Sequence, residues 1–380
     1  MMSGYQFQPR PLPDRFARWF SERGWQLHRH QQAMLEAAAK QKTCLLLAPT
    51  GGGKTLAGFL PSLMALDEND HDGLHTLYLS PLKALATDIE RNLMLPITEM
   101  DLPIRAEVRT GDTSPADRQR QKDHPPQLLM TTPESLALML AWDEADTIFG
   151  TTHTVIIDEL HAFIGTKRGD QLALALARLR RFQPRLRVVG LSATVADPMR
   201  LRGWLNPCPD QVEVIHANPG PTSEITLFDQ PDAIPWAGHS AAYAVKDIYQ
   251  MVCSNNNTLI FVNTRAQAEM LFQHIWRIND DNLPIGLHHG SLSKEQRQRI
   301  EDHMARGVLR AVIATSSLDL GIDWADVDLV IQVGAPKGTS RLVQRIGRAG
   351  HRYDQVSRAT LIPSNRFEVL ECLAVMHDIE

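Results

Sequence analysis

Short runs of leucine and β-branched residues punctuate the first half of the chain at 44–48, 76–80, 127–131, 154–158 and 188–192. Each is followed by a loop and a stretch of mixed polar and apolar positions. That alternation predicts a parallel sheet with helices on both faces. The second half repeats the pattern with runs at 258–262, 311–315 and 327–333. Between the halves, 206–235 is rich in Pro, Gly and Asp and includes Asn218-Pro219-Gly220-Pro221, so the linker is expected there. The expected domains are 1–215 and 216–380. Pro61 should kink or end a helix that starts near Gly53.

The totals fit this division. At 380 residues the chain suits two domains of about 150–200 residues each. Apolar residues make up 43% and charged residues 22%, without a low-complexity tract. Nothing approaches the ~18–20 uninterrupted apolar residues that span a bilayer, so no membrane partner is expected. The start, Met1-Met2-Ser3-Gly4-Tyr5-Gln6, lacks a basic-then-apolar export pattern. Cys44, Cys208, Cys253 and Cys372 lie far apart without metal-ligand spacing, and reduced, buried thiols in a cytoplasmic, monomeric core are expected.

A net charge of −5 argues against a surface that binds polyanions everywhere. A local basic groove remains compatible, because counterion release depends only on the few Lys and Arg that meet phosphates. Arg178, Arg180, Arg181, Arg185 and Arg187 form the densest such run. It reads either as a nucleic-acid contact or as a solvated helix end, the second being favoured.

Ala48-Pro-Thr50-Gly51-Gly52-Gly53-Lys54-Thr55 follows an apolar strand and opens a helix, the context a phosphate-binding loop requires. Its glycines let backbone N–H groups wrap phosphates, and the helix N-terminus adds its dipole. Lys54 is expected to neutralise phosphate charge and Thr55 to ligate Mg²⁺. Asp158 and Glu159 end a buried strand at the sheet edge where α/β proteins bind ligands. Asp158 is placed to hold Mg²⁺ through water, and Glu159 to orient or deprotonate the attacking water. Gln31, 17 residues before Ala48, offers its amide to adenine, the alternative being an exposed helix glutamine. Its neighbours His28, Arg29 and His30 read as loop-to-helix surface. Ser192-Ala193-Thr194 reads as a helix N-cap or as the link between hydrolysis and movement. In the second half Asn263-Thr264-Arg265 stands where a second phosphate loop would be. Two α/β halves with one nucleotide site suggest tandem RecA-like domains, each a mostly parallel sheet with helices on both faces, and ATP in the cleft between them.

At this point the chain resembles the DEXH-box helicases of superfamily 2, and within them the large helicase-related (Lhr-like) family. In the first half, 48–55, Ser80-Pro-Leu-Lys83, Arg109-Thr-Gly-Asp-Thr113, Thr131-Thr-Pro-Glu134, Asp158–His161 and Ser192–Thr194 carry the likeness. In the second, Phe261-Val-Asn-Thr-Arg265, His288-His-Gly-Ser291, 314–323 and Gln344-Arg-Ile-Gly-Arg348-Ala-Gly-His351 continue it in order. Ile234-Pro-Trp-Ala-Gly-His239 and 365–372 resemble a bacterial ligase-associated, DNA-damage-response branch.

The resemblance implies ATP-driven 3′-to-5′ translocation on single-stranded DNA or a tailed duplex, with RNA or an RNA–DNA hybrid as the alternative substrate. A non-translocating ATPase switch is the competing class. Repair ligase or nuclease partners are implied by the branch alone. Ser80, Lys83, Thr110, Gly111, Thr132 and Glu134 of the first domain would track the phosphate backbone. Thr264, Arg265, His289, Gly290 and Thr315 of the second would grip it in turn. Hydroxyls, backbone amides and isolated cations suit such sequence-independent contact, although each hydroxyl reads equally well as a loop cap. His288 and His289 have no Cys or acidic cluster beside them and are not read as metal ligands.

Gln344 and Arg348 would reach the γ-phosphate, His351 phosphate or ribose, and Asp323 the ribose, with Gly321 permitting the close approach. Arg345 and Arg352 read as phosphate contacts or as helix-surface ion pairs. Relatives continue into a winged helix and further domains. The chain's last stretch, 367–376, is amphipathic with no evident partner for its apolar face, so a fragment is expected; only about 20 residues separate Asp323 from Gln344, too few for a long strand-separating hairpin, so poor unwinding is expected.

Overall fold

A computed structural model describes residues 12–49, 52–81, 93–193, 198–218, 223–228, 234–238, 240–318, 327–347, 349 and 356–379. The chain divides into two compact units, Met1–Asn218 and Pro219–Glu380.

The first unit is built on seven strands: β1 (Cys44–Leu47), β2 (Thr76–Leu79), β3 (Ala106–Arg109), β4 (Leu128–Thr131), β5 (Thr154–Ile157), β6 (Arg187–Ser192) and β7 (Glu213–His216). Their order is β3-β4-β2-β5-β6-β1-β7, and neighbours pair in parallel. Central strands such as Cys44–Leu47 and Thr154–Ile157 are buried at every position, which is why they read as unbroken apolar runs rather than alternating ones. The edge strands β3 and β7 are only partly buried and carry no such run, so the sequence pattern missed them.

One face of this sheet is covered by the helix Lys167–Phe182 through Leu172, Leu176 and Leu179, and by Pro133–Leu140 through Leu136 and Met139. Each buried leucine contributes roughly 1.5–3 kcal/mol. The helix Lys54–Glu68 buries Phe59, Leu60 and Leu63, and Phe59 stacks on Tyr78 of β2 at 4.8 Å. Pro61 does not end this helix, which continues to Glu68 with Pro61 buried in it. The apolar face packed on the sheet offsets the lost backbone hydrogen bond.

The second unit holds β8 (Glu224–Leu227), β9 (Thr258–Phe261), β10 (Ile285–His288), β11 (Ala311–Ala314), β12 (Leu329–Val333) and β13 (Arg358–Ile362), in the order β10-β11-β9-β12-β13-β8. All neighbours are again parallel. The stretch 206–235 is therefore more than a linker: it holds β7, which extends the first sheet beside β1, and β8, which extends the second beside β13.

Ile248, Val252, Leu271 and Ile275 pack one face of the second sheet, and Met304, Leu342, Ile346 and Cys372 pack the other. The helix Arg366–Ile379 does have a partner for part of its apolar surface: Cys372, Val375, Met376 and Ile379 join that second cluster. Phe367 and Leu370 are exposed on it. Arg345 is not a helix-surface arginine. It is buried with its guanidinium 4.5 Å from the Phe261 ring centroid, and it donates to Gln332 Oε1 at 2.5 Å.

All four cysteines are free, but only Cys44 and Cys372 are buried; Cys208 is exposed and Cys253 half-exposed. The arginine run is also broken up. Arg178, Arg181 and Arg185 are exposed, Arg180 is half-buried and donates to the Leu205 carbonyl, and Arg187 is buried. Among the described residues no helix is long and apolar enough to cross a membrane.

Candidate nucleotide site and nucleic-acid face

In the first unit the expected chemistry gathers at the C-terminal ends of β1, β5 and β6. Gly53 caps the Lys54–Glu68 helix with φ of 70°, and a side chain there would also lie 3.1 Å from Gln31 Nε2. A side chain at Gly52 would meet the Pro49 carbonyl at 3.0 Å. A side chain would crowd its neighbours at either glycine, and the Gly52 N–H donates to the Pro49 carbonyl at 3.2 Å, which holds the turn.

Lys54 is buried, and its Nζ lies 3.8 Å from Glu159 Oε1 without a hydrogen-bond partner among the described residues. A buried ammonium with so little compensation is complementary to a phosphate. Thr55, beside it on the helix, is half-buried.

Asp158 is buried at the end of β5 and accepts from the Tyr78 hydroxyl at 2.5 Å and from the Glu159 amide at 2.9 Å. Burial first, then the Glu159 charge, pushes its carboxyl up to about 6, against the opposing pull of Tyr78 and Lys54. Glu159 sits in the left-handed region at φ 45°, a strained position for a residue with a side chain. Glu159 Oε2 lies 3.5 Å from His161 Nδ1, and His161 Nδ1 lies 3.0 Å from Ser192 Oγ. Burial lowers the His161 imidazole. Lys54, Glu159, His161 and Ser192 thus form one connected line, in which Ser192 reaches Glu159 through His161.

Three contributors had no role assigned from the sequence. His161 was visible as the last residue of Asp158–His161. Tyr78 lies inside an apolar strand and gave no signal. His30 is not surface: it is buried, interacts with the Gly52 backbone, and stacks on exposed His28 at 5.3 Å. Gln31 is likewise buried rather than exposed, and its Oε1 accepts from the His28 amide at 3.0 Å.

Ser80, Thr110, Gly111 and Thr132 follow β2, β3 and β4 along the same edge. Thr110 Oγ1 accepts from the Asp112 amide at 3.2 Å, and Thr132 N-caps the Pro133–Leu140 helix. The Glu134 carboxylate is held by Arg168 through two contacts at 2.5 and 3.2 Å. That pairing offsets the carboxylate's charge.

In the second unit Thr264, His289, Gly290 and Thr315 also follow strand ends, those of β9, β10 and β11. Thr264 N-caps the Arg265–Arg277 helix in a reciprocal capping box with Gln267. Arg265 pairs with Glu269 at 2.7 Å, and Glu269 also lies 3.4 Å from His289 Nε2. His288 is held between Ser317 Oγ at 2.8 Å and Glu301 Oε1 at 2.9 Å. Thr315 donates its amide to the His288 carbonyl at 3.2 Å. Gly290 has open space around its Cβ position. Gln344 is half-buried on the helix Thr339–Ile346. Thr50, Gly51, Lys83, Thr194, Gly321, Asp323, Arg348 and His351 lie outside the described residues.

Residues 28–201 match the DEAD/DEAH box helicase family and residues 243–352 the helicase conserved C-terminal domain. The chain is 34% identical over 436 residues to the Lhr helicase/uracil glycosylase of Escherichia coli, covering 96% of this chain and 28% of that protein. It is 32% identical over 393 residues to the ATP-dependent helicase Lhr-Core of Methanocaldococcus jannaschii, covering 98% and 46%. Among solved structures, Mycobacterium smegmatis helicase Lhr bound to ssDNA and AMP-PNP superposes with a TM-score of 0.84 at 36% identity, over 97% of this chain and 50% of that one. The chain thus spans between about a quarter and half of the length of these relatives. With tandem RecA-like sheets, the site geometry and these likenesses in agreement, the chain belongs to the Lhr-like helicases of superfamily 2.

Proposed function

We propose that the chain is an ATP-hydrolysing motor that moves 3′-to-5′ along single-stranded DNA. The observation that carries this reading is the buried Lys54 ammonium at the glycine-rich turn, which has no hydrogen bond among the described residues and only a 3.8 Å ion pair with Glu159. A triphosphate is the ligand that completes such a group.

In this reading Thr50, Gly51, Gly52 and Gly53 wrap the phosphates and Lys54 neutralises them. Gln31 and Asp323 hold the base and ribose. Thr55, together with Asp158 through water, is the pair that would hold Mg²⁺, which neutralises phosphate charge when bound. The Asp158 carboxylate and the Thr55 hydroxyl are the hard oxygen donors this ion takes. Glu159 aligns the attacking water and accepts its proton. Arg348 supplies positive charge to the transferring phosphoryl group, and Gln344 and His351 are assigned to the same phosphates. His161 and Ser192, joined to Glu159, carry the change in phosphate occupancy toward Thr194 and the DNA-tracking residues. Ser80, Lys83, Thr110, Gly111, Thr132 and Glu134, and then Thr264, Arg265, His289, Gly290 and Thr315, hold the strand in turn.

The likeness of 234–239 and 365–372 to the ligase-associated branch supports a DNA-repair setting in the cytoplasm, with a ligase or nuclease as partner. Displacement of streptavidin from end-biotinylated oligonucleotides tests the motor. The reading requires ATP-dependent release from a 5′-labelled DNA strand and little from a 3′-labelled one. Release with the opposite polarity, or from RNA alone, would overturn the direction or the substrate. Residues 1–380 should translocate yet unwind a tailed duplex poorly.

A further inference from the structure

The opposite, N-terminal edge of the first sheet holds polar groups that the nucleotide chemistry does not use. Thr76, Thr154 and Arg187 stand in register at the starts of β2, β5 and β6. His75 and His153 come just before β2 and β5. The His153 amide donates to the His75 carbonyl at 2.9 Å, and the Arg187 amide to the His153 carbonyl at 3.0 Å. A third ring, His71, closes the group, with centroids 5.0 Å from His75 and 5.4 Å from His153; His75 and His153 are 5.1 Å apart. The three rings, Arg187 and Ser62 line a cavity of about 310 Å³ whose apolar wall includes Leu35, Pro61 and Met64.

Arg187 is 3% exposed. Its Nε reaches Thr154 Oγ1 only at 3.4 Å, Nη1 has no hydrogen-bond partner, and no carboxylate pairs with it among the described residues. Ser62 Oγ and His71 Nε2 are buried in the same lining and are also unpartnered. The single carboxylate of the lining, Glu68, is engaged in an interaction of its own. A guanidinium stays charged at any ordinary pH, and burying it without a counter-charge is costly. A guanidinium nitrogen, a hydroxyl and an imidazole nitrogen without partners in one lining, beside that charge, are met by an acceptor that is negative. A metal ion does not meet the need: Arg187 repels it, and among the described residues no group of three His, Cys, Asp or Glu is arranged to hold one.

We propose that this cavity binds a small oxyanion with an apolar body, its charged end on Arg187 and its body against the aliphatic wall. The imidazoles of His71 and His75 and the Ser62 hydroxyl complete the acceptor's hydrogen bonds. The site lies at the far end of the same strands from the glycine-rich turn, so it is separate from the nucleotide chemistry and stands or falls without it.

Phenyl phosphate titrated into the Lys54→Ala chain, which weakens phosphate binding at the glycine-rich turn, is the direct test. Imidazole signals of ¹⁵N-histidine-labelled protein provide the readout, with His71, His75 and His153 assigned by single substitutions. Saturable shifts confined to those three residues are expected, with inorganic phosphate binding at least tenfold more weakly and phenol not at all. Arg187→Gln, if it folds, should weaken binding at least tenfold, and Arg187→Lys less. Absence of shifts up to about 10 mM, where even a site of about 1 mM affinity is filled, would overturn the proposal. So would shifts confined to other histidines, or equal binding by Arg187→Gln.

Discussion

The two units share a parallel α/β scaffold, yet the C-terminal edges of their sheets are chemically unlike. In the first, the loop after β1 leads into a helix whose first residue, Lys54, is buried without a hydrogen-bond partner, and the residue after Asp158 is held at a positive φ. In the second, the equivalent loop after β9 ends in Thr264, whose capping box satisfies the helix start. Arg265 and His289 both have Glu269, and His288 has Glu301 and Ser317. One edge carries unsatisfied charge and strain, the usual mark of a site awaiting a ligand. The other has most of its local bonds made, with His289 Nδ1 the exception, which suits a surface that grips and releases a strand.

If this contrast is functional, substitutions on the two sides should differ in kind. Arg348→Ala, in the second unit and so an exception to the contrast, should lower the hydrolysis rate by about 10³–10⁵ while leaving nucleotide binding largely intact. Single-turnover hydrolysis alongside a fluorescent-nucleotide binding assay would measure both. Glu159→Gln should lower the rate by about 10²–10⁴, and retained turnover would remove Glu159 as the base.

Asp158 gives a pH prediction with a definite sign. Its folded value of about 6 lies above the ordinary 3.8, so the folded state favours the protonated form. The stability this contributes is fully present below 3.8 and is lost as pH rises through about 6. Urea denaturation of the nucleotide-free protein should show that decline, and Asp158→Asn should flatten it. Smallest of all, Thr264→Ala should cost about 1 kcal/mol of stability through the lost cap. ATP affinity should not change, and a large loss of affinity would blur the contrast between the two edges.

The sequence exposed the glycine-rich turn, the Asp158–Glu159 pair and the central strands, because each depends on residues close together in the chain. Both sheets were foreseeable from central strands such as Cys44–Leu47 and Ala311–Ala314, although β10 and the interior β13 of the second sheet were not read as strands. Edge strands such as Ala106–Arg109 and Glu213–His216 were not foreseeable, since half-burial permits a mixed composition. Pairings across long separations were equally hidden. Arg168 against Glu134 and Ser192 against His161 lie 34 and 31 residues apart, and only the fold brings them together. Arg345 illustrates the same limit. Its burial over Phe261 depends on a strand more than 80 residues earlier, so the sequence offered only a phosphate contact or a helix-surface ion pair for it.

Steady-state ATP hydrolysis by residues 1–380, with and without single-stranded DNA and beside Lys54→Ala, tests the central claim most directly. The account predicts DNA-stimulated hydrolysis that Lys54→Ala abolishes. Hydrolysis that ignores DNA, or that survives the loss of Lys54, would contradict it.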